Sequence, residues 1–252
     1  VQIVYLNIKP YAVVNETVNV AKKIKVFSGF INATLKNIIK DIVKLKKINP
    51  KLIDFPKWFI DEMNLSKTID PNSFIKTFFE QPNLHLVFKS KQCLNKFTEY
   101  HTKSSMNSAF INVKKKIYEI HNYSKGEWWV QDFSSMLPLA IDSDKKDLNI
   151  LDICAAPGGK SFQLLSNNIV ILNDVNPKRI SRLRQNLSRL NFYPEIKNLN
   201  GLNFPENNKF DLVILDSPCS SIGTIRKNPE ILFKSKKPDL KTLNKLQKDL
   251  LQ

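Results

Sequence analysis

The chain has 252 residues, 42% of them hydrophobic and 25% charged, which excludes a wholly disordered or collagen-like polypeptide and is enough to bury a core. With 39 Lys and Arg against 23 Asp and Glu, the formal net charge is +16, the balance of a surface that meets polyanions such as nucleic acid. No apolar run approaches the roughly 18–20 residues needed to span a bilayer. The start, VQIVYLNIKPY, lacks the basic-then-apolar order of a signal peptide. Cys93, Cys154 and Cys219 lie too far apart for a disulfide framework or zinc knuckle, and His85, His101 and His121 have no metal-ligand spacing. These features suit a reducing, cytoplasmic setting without a metal or membrane partner. Charge alone does not decide the partner, because abundant Lys beside Asn, Ile and Phe also fits compositional drift. Only five basic residues are arginine, and Arg179, Arg182, Arg184, Arg189 and Arg226 all fall in the C-terminal part.

The first 65 residues read as helical. Tyr11 to Ile24 carries Ala12, Val13, Val18, Ala21 and Ile24 on one face. From Phe30, the residues Ile31, Leu35, Ile38, Ile42 and Leu45 step by four, three, four and three, a second face. Pro56 opens a further short helix, PKWFIDEM. Residues 66–130 read as a small α+β region, with a strand over LHLVFK (84–89), a helix over 91–100 and a polar loop over 101–110. The Lys114-Lys115-Lys116 run suits phosphate contacts or a solvated face. Trp128 and Trp129 suit packing at a domain junction or stacking on bases.

From residue 131 the pattern sharpens. QDFSSMLPLAI reads as a helix, followed by apolar strands LNILDIC (148–154), IVILNDV (169–175) and FDLVILD (210–216), with EIKNLN (195–200) a weaker strand. Helical stretches, notably PKRISRLRQNLSRLN, separate them. Alternating β and α with near-continuous apolar strands predicts a parallel, Rossmann-like sheet. About four strands are present where such a fold has about six. Val1 stands in what reads as the middle of a helix and Gln252 inside the amphipathic run LKTLNKLQKDLLQ. The expectation is therefore of a fragment lacking both ends.

Three segments carry chemistry. In LDICAAPGGKSFQLL (151–165) a strand ends, small residues and two glycines turn the chain, and a helix begins. Backbone amides and a helix start then meet at a strand's carboxyl end, where open α/β sheets hold nucleotide-like ligands. Gly159-Lys160-Ser161 matches the end of a P-loop, with Asp216 as a Walker-B carboxylate, so a nucleoside triphosphate is one occupant. Against it, Cys154 stands where the first P-loop glycine belongs and Pro157 lacks an amide donor. The other occupant is a ribose-bearing cofactor without phosphates, such as S-adenosylmethionine, with Asp174, 15 residues after Gly159, accepting the ribose hydroxyls. In the third segment, FDLVILDSPCSSIGTIRKNPEI (210–231), a strand delivers Asp216 and Cys219 to one rim, a carboxylate beside a thiol able to attack an electron-poor ring carbon. Arg226 and Lys227 follow, suited to phosphates.

LDICAAPGGK, NDVNPKRISRLRQNLSRL and DSPCSSIGTIRKNPEI, with the upstream GEWWVQDFSSMLP, resemble the RNA (cytosine-5)-methyltransferases of the RsmB/Nop/Sun type. YAVVNETVNVAKK and GFINATLKNI resemble the later helices of a NusB-like domain, which points to the bacterial branch acting on small-subunit ribosomal RNA. The resemblance implies a partial all-α NusB-like bundle over 1–65, a small α+β subdomain over 66–130, and an α/β Rossmann-like S-adenosylmethionine-dependent methyltransferase domain with an incomplete sheet over 131–252, in a monomer.

It further implies that Cys154, Ala155, Ala156, Pro157, Gly158, Gly159 and Lys160 form the S-adenosylmethionine loop. Asp174 holds the ribose, Asn200 stands where the family has an Asp near the adenine, and Asp216 sits between cofactor and target base. Cys219 assists release of methylated RNA, while the attacking cysteine lies in a Thr-Cys segment after the next strand, which these residues do not reach. Ser217 replaces a usual Ala and Ser221 a usual Gly. Two other readings stay open: a non-catalytic RNA-binding fragment and a P-loop-like nucleotidase.

Overall fold

A computed structural model describes all residues except 1, 5–7, 49–50, 67–69, 81, 105, 113–114, 141–144, 206–208 and 234–236. Two compact units divide the chain, Val1–Thr77 and Phe78–Gln252.

In the first unit, α1 (Pro10–Lys23) starts on a proline whose missing N–H is no loss in a first turn, and ends on Lys22 and Lys23, which complement the helix dipole. Lys25 takes a left-handed φ of +56°, and the Val26 amide reaches back to the Ala21 carbonyl at 3.0 Å, closing the helix and turning the chain. The face expected from Phe30 to Leu45 is split at Asp41 into α2 (Ser28–Lys40) and α3 (Ile42–Lys46). A 3-10 turn and α4 (Lys57–Ser66) follow, and α5 (Pro71–Phe79) spans the boundary of the units. Phe55, Phe59 and Phe74 form an aromatic knot with ring centroids 5.5–6.0 Å apart.

The second unit contains two sheets. The first is antiparallel, in the order β2-β3-β1-β4, built from β1 (Leu84–Phe88), β2 (Thr102–Ser104), β3 (Ser108–Ile111) and β4 (Trp128–Val130). The expected strand at 84–89 is present, and the expected helix shortens to α6 (Lys91–Lys96), capped by Ser90. The loop expected over 101–110 is instead the β2–β3 hairpin. Its edge strand Thr102–Ser104 is polar and half-solvated, so no apolar alternation marked it.

The helix expected after Gln131 is a single turn, α7 (Phe133–Met136), capped by the Asp132 carboxylate and tightened into a 3-10 turn at Pro138. The second sheet is parallel, in the order β7-β6-β5-β8, from β5 (Asn149–Asp152), β6 (Ile169–Asn173), β7 (Glu195–Lys197) and β8 (Leu212–Ile214). Between its strands lie α8 (Gly159–Phe162) and α9 (Pro177–Leu190), and α10 (Leu240–Leu251) follows. α9 buries Ile180, Leu183, Leu187 and Leu190, a three–four–three spacing that lays one face on the sheet. Val87 and Trp129 of the first sheet share a core with Ile150, Leu172, Leu183 and Ile214. From β5 the chain steps to β6 and β7 on one side and returns to β8 on the other. That reversal is a topological switch point, where open α/β sheets form their ligand crevice outside the strands' carboxyl ends, here those of β5 and β8.

Candidate active site

The crevice is bounded by the loop after β5 and the rim after β8. Lys160 reaches across it, its Nζ donating to Asp216 Oδ2 at 2.6 Å. The two residues expected on opposite motifs are thus in contact. Gly158 opens α8 at a φ of +112°, and a Cβ there would fall 2.0 Å from Phe162 Cζ and 2.8 Å from Leu183 Cδ1. Both the left-handed backbone and the close approach of the buried helix require glycine. A Cβ on Gly159 would stand 3.6 Å from Gln131, whose side chain supports the turn from below.

Asp174 lies at the carboxyl end of β6 and is only 1% exposed. It accepts from the Ala156 amide at 3.2 Å and the Asn176 amide at 2.9 Å, and Arg179 Nη1 stands 3.4 Å away. Arg179 also donates to the Ala156 carbonyl, and Asn186 to that of Pro157 at 3.0 Å. The start and middle of α9 therefore clamp the loop over Ala156 and Pro157, which the Arg-rich sequence had not disclosed. A carboxylate has about four acceptor positions, so Asp174 keeps capacity for a further donor.

Asp152 is buried beneath the loop, and burial pushes its carboxyl up to about 6, against bonds from Ser161 Oγ and the Cys154 amide that hold it down. Burial, then the charges of Asp152 and Asp174, raise the Cys154 thiol to about 11. Cys154 therefore stays a thiol at neutral pH and is unsuited to nucleophilic attack. Cys219 is exposed, and its neighbour Pro218 is anchored through its carbonyl by Gln247 of α10 at 2.8 Å.

Asn200 caps the 3-10 turn Gly201–Asn203 by accepting from the Leu202 amide at 3.1 Å. A Cβ on Gly201 would lie 2.6 Å from Ile153 Cγ2, so this turn sits directly against the loop after β5. Asn173, fully buried and not singled out by the sequence, joins the two. Its Nδ2 donates to the carbonyls of Ile153 (3.0 Å) and Leu199 (3.1 Å), and its Oδ1 accepts from Leu199.

Arg226 and Lys227 are engaged within the chain. Arg226 donates to the Glu80 carbonyl at 3.2 Å, and Lys227 pairs with Asp132 at 2.5 Å. Ser221 takes a left-handed φ of +60°, where glycine is the less strained residue. Trp128 and Trp129 are buried, donating to the His121 carbonyl and Gln131 Oε1, so they pack at the junction and are not free to stack on bases. His85 is a core residue whose Nδ1 meets the Gln131 carbonyl at 2.8 Å, and burial lowers its pKa. Lys114 lies outside the described residues, while Lys115 pairs with Glu99 at 3.2 Å. No metal-binding cluster of His, Cys, Asp and Glu occurs among the described residues, and no described helix is long and apolar enough to cross a membrane.

Residues 138–252 match the family described as 16S rRNA methyltransferase RsmB/F. This C-terminal part of the chain is thus similar to the RsmB/F methyltransferases. Residues 1–40 match the NusB family. The chain is similar to ribosomal RNA small subunit methyltransferase B of Proteus mirabilis (strain HI4320), 26% identical over 275 residues that cover 99% of this chain and 64% of the relative. The protein of the same name from Klebsiella pneumoniae (strain 342) is 28% identical over 276 residues, covering 99% and 63%. The chain thus spans under two thirds of the length of these curated relatives. Among solved structures, the protein designated PH0851 superposes with a TM-score of 0.74 at 19% identity, covering 92% of this chain and 58% of that one. A methyltransferase homolog protein from Pyrococcus horikoshii gives 0.57 at 24% identity, covering 71% and 61%. These likenesses bear out the α/β methyltransferase fold behind a NusB-like N-terminus.

Proposed function

We propose that this chain acts as an RsmB/F-type methyltransferase, binding S-adenosylmethionine in the β5/β8 crevice and serving methylation of carbon 5 of a cytosine in RNA, with small-subunit ribosomal RNA as the substrate class. The observation that carries the reading is the meeting of Lys160 and Asp216 at the sheet's switch point, between the glycine loop and the Asp-Ser-Pro-Cys rim. The residues fit the cofactor. Asp174 has acceptor capacity beside the loop, and the Asn200 turn packs on Ile153, which supports an amide contact to the adenine in this reading. Cys154 to Lys160 supply the small, glycine-turned wall. The names of the Proteus and Klebsiella relatives support ribosomal RNA as the substrate.

When bound, the cofactor supplies an electrophilic methyl group. The chain's own residues hold the base and manage protons. Asp216 meets the cytosine near N3 and favours its protonation while a thiolate adds to carbon 6, making carbon 5 nucleophilic. Loss of the carbon-5 proton then expels the thiolate, and the base must leave its stack to reach the rim. In this reading Cys219 assists release, and the attacking cysteine is a second one, in the Thr-Cys segment that the resemblance implies. Residues 1–65 and 66–130 hold RNA, and 131–252 carry the cofactor and base.

Incubation with a small-subunit ribosomal RNA transcript containing 5-fluorocytidine, in the presence of S-adenosylmethionine, tests the assignment. The expected result is an RNA complex on a native gel with no covalent adduct on Cys219 by peptide mass spectrometry. A Cys219 adduct would reverse the cysteine roles, and absence of any complex would remove RNA as the substrate.

A further inference from the structure

We propose a second nucleotide-binding site, for one base and phosphate of single-stranded RNA, at the amino edge of the parallel sheet, the end away from the cofactor crevice. The inference rests on the RNA reading above and adds to it a site outside the catalytic rim. A cavity of about 390 Å³ is lined by Asn107, Trp129, Phe162 and Gln163. Beside it lies a second of about 560 Å³, lined by Lys91, Lys125 and Glu127. Lys89, Asn107, Ser166 and Asn167 border both, so the two form one trench. Ser166 and Asn167 lie three and two residues before β6, at the amino edge of the parallel sheet, whereas Asp152, Asp174 and Asp216 stand at or beyond its carboxyl edge.

Two independent features point to a ligand. The side-chain amide of Gln163 is buried with neither nitrogen nor oxygen bonded, an unsatisfied donor and acceptor side by side. Leaving such groups unpaired is costly, and a base edge presents the complementary pair. Met106 and Asn107, neither of them glycine, hold left-handed φ values of +58° and +54° at the tip of the β2–β3 hairpin. A tight hairpin turn asks for such angles at both central residues. It sets Asn107 into the trench wall, where its carbonyl also accepts from the Phe88 amide at 2.8 Å.

The second feature is charge. Lys89 is anchored by a 2.6 Å bond to the Leu190 carbonyl and lies 4.3 Å from the Phe192 ring centre, leaving two of its protons for a ligand. With Lys91 and Lys125 it outnumbers the single carboxylate of Glu127, which is itself held by Asn122 at 2.7 Å. A volume of this size takes a nucleotide rather than a lone ion, and the +16 charge of the chain favours a polyanion.

Fluorescence anisotropy with a labelled, unstructured 12-nucleotide RNA at several salt concentrations tests the site, with S-adenosylmethionine binding measured in parallel. K91E/K125E is expected to weaken RNA at least tenfold and reduce the salt slope by about two. Q163L is expected to weaken it about three- to tenfold with the slope unchanged. Both should bind S-adenosylmethionine as the parent does, and the control K241E/K245E on α10 should lose less than K91E/K125E. RNA binding by K91E/K125E no weaker than by the control overturns the trench while leaving RNA binding elsewhere intact. An unchanged Q163L overturns the base pocket. Failure of the parent chain to bind the RNA overturns both this site and the reading on which it rests.

Discussion

Lys160 and Asp216, 56 positions apart, are joined by a 2.6 Å ammonium–carboxylate bond across the switch point of the parallel sheet. With side chains 21% and 54% exposed, the pair adds less than about 1 kcal/mol to stability. In the proposed reading its importance is positional, because the Asp216 carboxylate would face the cofactor's sulfonium. D216N should therefore weaken S-adenosylmethionine about three- to tenfold more than the uncharged S-adenosylhomocysteine, the scale of one charge pair at partial solvation. Calorimetric titration of both ligands checks this, and equal losses would move Asp216 away from the reacting centre.

The Asp152 carboxyl makes stability fall with pH. Burial raises its pKa in the folded chain to about 6 from 3.8. Below the lower value both states hold the proton and nothing is lost. Between the two only the folded state holds it, so stability declines as pH rises through about 6, by on the order of 2–3 kcal/mol. D152N removes that titration. Thermal melts should find it more stable than the parent at pH 8 and equal to it near pH 4, and a parent–variant difference independent of pH would contradict the assignment. The lowered pKa of buried His85 acts in the opposite sense, since that base must stay neutral in the fold, and it is common to both proteins.

Gly158→Ala places a methyl group into the Phe162 ring at a backbone angle that L-residues avoid. The expected cost is about 2–4 kcal/mol in denaturant titration, with loss of S-adenosylmethionine binding. A variant as stable as the parent would mean that the loop does not pack on α8 as described.

Lys227 spends its charge on Asp132 at 2.5 Å, although the pair is substantially exposed. D132A removes the α7 cap together with this pair, so it should cost about 1–2 kcal/mol of stability while freeing an ammonium for phosphate. RNA affinity should rise slightly, with a salt slope steeper by less than about one. Weaker RNA binding in D132A would show that the pair orders the loop rather than competing with RNA.

Much of this architecture was legible because short-range patterns encode it. The apolar runs at 149–152 and 169–173 became buried parallel strands, and the spacing of Ile180, Leu183, Leu187 and Leu190 became the inner face of α9. What stayed hidden depends on contacts between distant residues. Lys227 and Arg226 read as free cations, yet their partners lie 95 and 146 positions away. Asn173 reads as an ordinary polar residue at a strand end, and only the folded sheet reveals that its amide ties the loop after β5 to the loop after β7. The β2–β3 hairpin escaped notice because its edge strand is polar and its tip is built by Met106 and Asn107 rather than by the glycine that usually marks such a turn.

The most direct test of the central claim is isothermal titration of residues 1–252 with S-adenosylmethionine, with ATP as the control and D174A as the site variant. Saturable binding of S-adenosylmethionine alone, lost in D174A, is the predicted result. Binding of ATP instead, or of neither ligand by a chain whose circular dichroism and melt show it folded, would contradict the cofactor site.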